Sequence, residues 1–190
     1  MLDVSRHFFT KQEVKRFIDL MAEYKYNVFH WHLSDDQGWR VEIKSLPRLT
    51  DVGAWRAPRV GNWWEREPQS VTDSLTYGGF YTQDDIREVV EYARERFITV
   101  VPEIDVPGHS MALLTAYPEI SCTGGPFHVN VGNTFYTKEE NSLCVGKEKT
   151  FAILDMIFDE LVDLFPSSYI HIGGDECYNC LLYTSPSPRD

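Results

Sequence analysis

The chain has 190 residues, enough for one hydrophobic core, and a formal net charge of -11 from 29 acidic and 18 basic side chains. Acid spread along the whole length argues against nucleic acid and anionic membranes as partners. No stretch approaches the ~20 apolar residues of a membrane span, and Met1-Leu2-Asp3-Val4-Ser5-Arg6 lacks the basic region and apolar run of a signal peptide.

Leu2 to Ser5 reads as a short strand. Thr10-Lys11-Gln12-Glu13 has the form of a capping box, and Val14, Phe17, Ile18, Met21 and Ala22 follow at helical spacing. Asn27 to Leu33 reads as a buried strand. Ser34 to Tyr81, rich in Trp, Gly, Pro and charge, reads as a long covering loop. Thr82-Gln83-Asp84-Asp85 opens a second helix with Ile86, Val89, Val90 and Ala93 on one face. Phe97 to Ile104 is a third strand, and Met111 to Ala116 a short helix. Leu154, Ile157, Phe158, Leu161, Val162 and Phe165 mark another helix, and Ser168 to Ile172 a fourth strand.

Strands alternating with helices imply a parallel sheet with covering helices. Polar residues gather just after the strands: Arg6, Asp35 and Asp36, Asp105 and His109, Asp175 and Glu176. Both open α/β sheets and (β/α)8 barrels place their sites at such strand ends. Four strands fit either the first half of a barrel, about four βα units and truncated, or a small open sheet. After Glu176 the text turns to a Ser-Pro-Ser-Pro run with neither helical nor strand period. Residues 181-190 are therefore expected to be a foreign or misread tail resembling translated adapter sequence.

Of four cysteines, Cys177-x-x-Cys180 has metal or redox spacing but no second pair beside it. Cys122 and Cys144 could form a disulfide or be two buried thiols, and buried thiols are the favoured reading. Cysteine usage does not fix the compartment.

The run His171-Ile172-Gly173-Gly174-Asp175-Glu176 carries the most chemistry. Glycines at a strand end let another group approach the backbone closely. Two carboxyls in one cleft push their pKa values apart, so one stays ionised while the other holds a proton. A polar turn is the bland alternative.

Four blocks resemble the catalytic domain of glycoside hydrolase family 20, the β-N-acetylhexosaminidases. They are Leu2-Asp3-Val4-Ser5-Arg6-His7-Phe8-Phe9, Phe29 to Arg40 (FHWHLSDDQGWR), Pro102-Glu103-Ile104-Asp105-Val106-Pro107-Gly108-His109, and His171 to Glu176. They occur in the family's order and spacing across residues 1-180, which implies the N-terminal half of a TIM-barrel catalytic domain. The family's later strands, with the tryptophans of its sugar pocket and a tyrosine that holds the acetamido group, have no counterpart here. Nor does the small α/β domain ahead of its barrel. The isolated chain is expected to be aggregation-prone and nearly inactive, as half a barrel leaves two unpaired edges.

The resemblance implies a retaining, substrate-assisted hydrolase in which the sugar's 2-acetamido oxygen is the nucleophile. Glu176 would be the acid and then the base, and Asp175 would orient the acetamide and stabilise its developing charge. Asp105 and His109 would contact the acid carboxylate and tune it. Arg6 and Asp35 would bind sugar hydroxyls at the non-reducing end, with His32 serving the site by hydrogen bonding. An ion pair with a neighbouring acid is the alternative for Arg6, and a pair with Arg40 the alternative for Asp36. Trp39 and Trp55 read as packing residues, and Trp63-Trp64 as an apolar plug under the loop.

The resemblance calls for no cofactor. It implies a partner that is an oligosaccharide or glycoconjugate ending in β-linked N-acetylglucosamine or N-acetylgalactosamine, and a secreted, periplasmic or lysosomal location. Oligomeric state is left open. His30-x-His32 at a strand end sustains one rival, a metal-dependent barrel hydrolase also drawing on His109, His171 and Asp175. A non-catalytic sugar-binding fragment is the other.

Overall fold

The computed structural model describes residues 1-59, 62, 69-70, 72-132 and 141-175. Its centre is a parallel sheet. β1 (Leu2–Asp3) pairs with β2 (Val28–Asp35), and β2 pairs on its other side with β6 (Thr99–Ile104). His171 continues the parallel order beside Glu103 through a single bridge, in which His171 N–H donates to Pro102 O and Ile104 N–H to His171 O. The fourth strand is therefore shorter than Ser168 to Ile172. The antiparallel β3 (Gly38–Trp39) folds back on the end of β2. The described residues form no closed barrel.

Alternation along β2 separates two faces. Phe29, Trp31 and Leu33 are fully buried on one. Phe17, Tyr81 and Phe165 pack their rings on this face. Each such side chain contributes roughly 1.5–3 kcal/mol by leaving water. His30 and His32 point to the opposite face, where both meet Glu103 of β6.

α1 (Lys11–Glu23) and α3 (Gln83–Arg94) begin at the capping boxes Thr10/Glu13 and Thr82/Asp85. α4 (Met111–Ala116) is short and wholly packed inside apart from Thr115. In α5 (Glu148–Leu164) the buried stripe is Thr150, Ile153, Ile157, Leu161 and Leu164, while Val162 is exposed. The expected face thus turns by about one residue.

Two expectations are corrected. The segment 34-81 is built rather than loose, holding β3, the short helix α2 (Arg48–Asp51) and the paired β4 (Trp55–Arg56) and β5 (Tyr77–Gly78). Buried Arg40 organises it. And Cys122 and Cys144 form a disulfide instead of two thiols: an antiparallel bridge between Ser121 and Leu143 brings their Cα atoms to 4.9 Å. Trp39 is buried and Trp55 half-buried, as packing residues. Trp63-Trp64, Cys177, Cys180, Glu176 and residues 181-190 lie outside the described residues.

Candidate active site

The ends of β1, β2 and β6 and the turn after His171 meet at one mouth, with Asp35 at its hub. Asp35 closes β2 and is 1% exposed. Its Oδ2 lies 2.6 Å from Arg6 Nη1 and 2.9 Å from His32 Nε2, and its Oδ1 lies 3.1 Å from His109 Nδ1. Arg6 Nη1 and His32 Nε2 are 3.1 Å apart beside Asp35 Oδ2. Burial opposes charge on Asp35, but hydrogen bonds from His109 and His32 and the charge of Arg6 outweigh it and hold the carboxyl down at about 2. Arg6 also pairs with Asp3 at 2.8 Å, so both the pairing with a neighbouring acid and the approach to Asp35 are present.

His109 follows a bend in which its own backbone is left-handed (φ 49°), at a cost of roughly 1 kcal/mol. That conformation turns its ring to Asp35. The hydrogen bond to Asp35 raises the imidazole to about 9. An aspartate does orient His109, but it is Asp35 and not Asp105.

Asp36 does not pair with Arg40. It accepts from Met111 N–H at 3.0 Å and from Asn141 Nδ2 at 3.5 Å, tying the mouth to α4 and to the segment after Cys122. Burial and the charge of Asp35 push Asp36 up to about 7. Arg40 instead donates to the carbonyls of Val4, Ser5, Gln37, Ala54 and Gly79.

Asp105 reaches across to the fourth segment. Its Oδ1 accepts from Gly174 N–H at 3.0 Å, and burial together with the charge of Asp35 raises it to about 6. A Cβ on Gly173 would lie 1.9 Å from that same oxygen, and Gly173 has φ +66°. The glycines admit a close neighbour, and the neighbour is Asp105. The following residue, Asp175, is exposed at the turn.

Below the mouth lies Glu103. His32 Nδ1 is 2.8 Å from its Oε2, His171 Nδ1 is 3.2 Å from its Oε1, and His30 Nε2 contacts its Oε2. Burial lowers His32, but hydrogen bonds to Asp35 and Glu103 outweigh it and raise the ring to about 10. Both nitrogens of His32 are thereby taken by carboxylates. Among the described residues three groups of side chains could hold a cation, and His30 and His32 fall in different ones. Glu103 and Asp3 went unassigned in the sequence reading. A glutamate inside an otherwise apolar strand was the available signal for Glu103, because a buried charge requires partners.

The profile of glycosyl hydrolase family 20, catalytic domain, matches residues 1–187. The chain belongs to glycosyl hydrolase family 20. It is 48% identical over 186 residues to a beta-hexosaminidase of Vibrio furnissii, covering 98% of this chain and 30% of that protein. It is 46% identical over 177 residues to a beta-hexosaminidase of Porphyromonas gingivalis, covering 93% and 21%. A mutant Streptomyces plicatus beta-hexosaminidase solved with its product GlcNAc superposes with a TM-score of 0.78 at 45% identity, covering 93% of this chain and 32% of that one. The chain thus spans between a fifth and a third of the length of these family 20 relatives. Their likeness gives it the α/β architecture of a TIM-barrel enzyme.

Proposed function

We propose that the full-length protein carrying this chain is a β-N-acetylhexosaminidase that releases terminal, non-reducing β-linked N-acetylhexosamine from oligosaccharides or glycoconjugates. The named activity of its relatives supports the reading. One observation of this chain carries it: the Gly174–Asp105 hydrogen bond draws the turn that bears Asp175 to the mouth built by Arg6, Asp35 and His109. On this reading residues 1-180 supply the first four βα units of the barrel.

The reaction is a retaining displacement without an enzyme nucleophile. The acetamido oxygen attacks the anomeric carbon while Glu176 gives its proton to the departing oxygen. The resulting oxazolinium carries positive charge shared with its nitrogen, which Asp175 faces. Glu176 then removes a proton from the water that opens the ring, giving back the original configuration. Arg6, one-third exposed, offers a donor fork to a sugar hydroxyl, while Asp35, ionised and fully buried, holds Arg6 and His109 in place. His109 and Asp105 take the role of tuning the acid. A second reading as a metal-dependent hydrolase finds little support where both nitrogens of His32 face carboxylates.

The test compares hydrolysis of an aryl N-acetyl-β-glucosaminide and of the matching aryl β-glucoside by the full-length protein. A preference for the acetamido sugar on the order of a thousandfold or more is expected, since the tethered nucleophile is lost in the glucoside. Equal rates would overturn the mechanism. In the same assay Asp175→Asn should slow the acetamido sugar while leaving product binding nearly intact.

A further inference from the structure

Glu103 sits two residues short of Asp105 on β6 with its side chain 4% exposed. A buried carboxylate is costly unless cations or donors surround it. Two imidazoles of β2, His30 and His32, meet it, and His171, whose Nδ1 accepts from Gly173 N–H, lies 3.2 Å from its other oxygen. Burial opposes its charge, but His32 foremost, with His30 and His171, outweighs this and holds Glu103 down at about 2.

The consequence falls on His32. Its ring lies between two carboxylates, with Glu103 2.8 Å from Nδ1 and Asp35 2.9 Å from Nε2, an arrangement that suits an imidazolium carrying a hydrogen on each nitrogen. Glu103 is therefore what keeps a donor aimed at Asp35 Oδ2. We propose that Glu103 is a positioning residue: acting through His32, it holds the Asp35 carboxylate in the orientation in which it meets Arg6 and His109, and so sets the guanidinium that a sugar hydroxyl would reach. His32 itself is then a clamp on Asp35 and does not touch the sugar. The part concerning the sugar rests on the hexosaminidase reading; the clamp does not.

The groups facing His32 and Glu103 are Asp3 and Arg6 beside β1, His30 and Asp35 on β2, Asp105 and His109 after β6, and His171. Two readouts separate positioning from mere filling of space, both on the full-length protein. The first is the 15N signal of the His32 ring. In the wild type both nitrogens should stay protonated through pH 8, and in Glu103→Gln the ring should titrate at distinctly lower pH. A wild-type ring that is neutral at pH 7.5 overturns the proposal without any variant. The second is a double-mutant cycle on aryl hexosaminide kinetics. Glu103→Gln should raise KM by about tenfold with a smaller change in kcat, and that penalty should vanish in an Asp35→Asn background. Glu103→Asp should recover part of the loss. Equal penalties in both backgrounds, or an unmoved His32 titration in Glu103→Gln, would overturn it. Should the wild type hydrolyse nothing, the hexosaminidase reading fails while the ring titration still decides the clamp.

Discussion

Arg40 is fully buried and gives its guanidinium hydrogens to five backbone carbonyls from four separate stretches of chain. Gly38 makes room for it, since a Cβ there would lie 2.2 Å from Arg40 Nη2. Arg40→Met removes one charge and strands five acceptors, so the loss of stability should be on the order of 4 kcal/mol or more. Urea unfolding of the full-length protein measures it. A loss below about 1 kcal/mol would mean that the carbonyls find other donors. Arg40 also marks where the sequence stopped being readable. Charge next to charge suggested a pair with Asp36, but an arginine whose partners are all main-chain carbonyls leaves no trace in side-chain spacing. Asp35, Arg6, Asp105 and His109 were legible because each follows a strand end. Which aspartate orients His109 was not, because it depends on a left-handed bend at His109 itself.

The helices were the most readable elements. Thr10 and Thr82 each stand three residues before an acid that returns a hydrogen bond to the cap. Asp85 serves twice, closing the cap of α3 and taking Lys11 of α1 at 2.6 Å. Thr82→Ala should cost about 1 kcal/mol in urea unfolding and leave KM unmoved. A change in KM would show that α3 is coupled to the mouth. The segment 34-81 was the least readable, since its strands are two residues long and no periodicity can declare them. The fourth strand was overestimated for the opposite reason: Tyr169-Ile170-His171-Ile172 has strand composition, yet Tyr169 and Ile172 are exposed and only His171 is bridged. In α5 the helix was evident but its inward stripe was not, because apolar residues occupy two adjoining faces.

At the scale of the whole molecule, the mouth sets the response to pH. Asp35 and Glu103 lie at about 2, below their ordinary range, so what they contribute is present above about pH 4.5 and is lost as pH falls through 2. His32 and His109 lie at about 10 and about 9, so their contribution is whole below about pH 6.5 and is lost as pH rises through those values. Asp105 at about 6 and Asp36 at about 7 are raised carboxyls, so the stability they forfeit is lost as pH climbs from the ordinary carboxylate range near about 4 up to those values, and no further above them. Tm should therefore be highest near about pH 4.5, fall as pH rises to about 7, and go on falling between about pH 6.5 and 10. Asp36→Asn should flatten the first decline. A Tm unchanged from pH 5 to 8 in the wild type would contradict these assignments. Chain topology adds a different consequence. Arg6, Asp35, Asp105 and His109 all precede Cys122, while His171, Gly173 and Asp175 follow Cys144, and the bridge joins two cysteines 22 positions apart. A protease that nicks the backbone anywhere inside that loop yields two polypeptides still joined as one molecule. Each carries half of the mouth, and only a reductant releases one from the other.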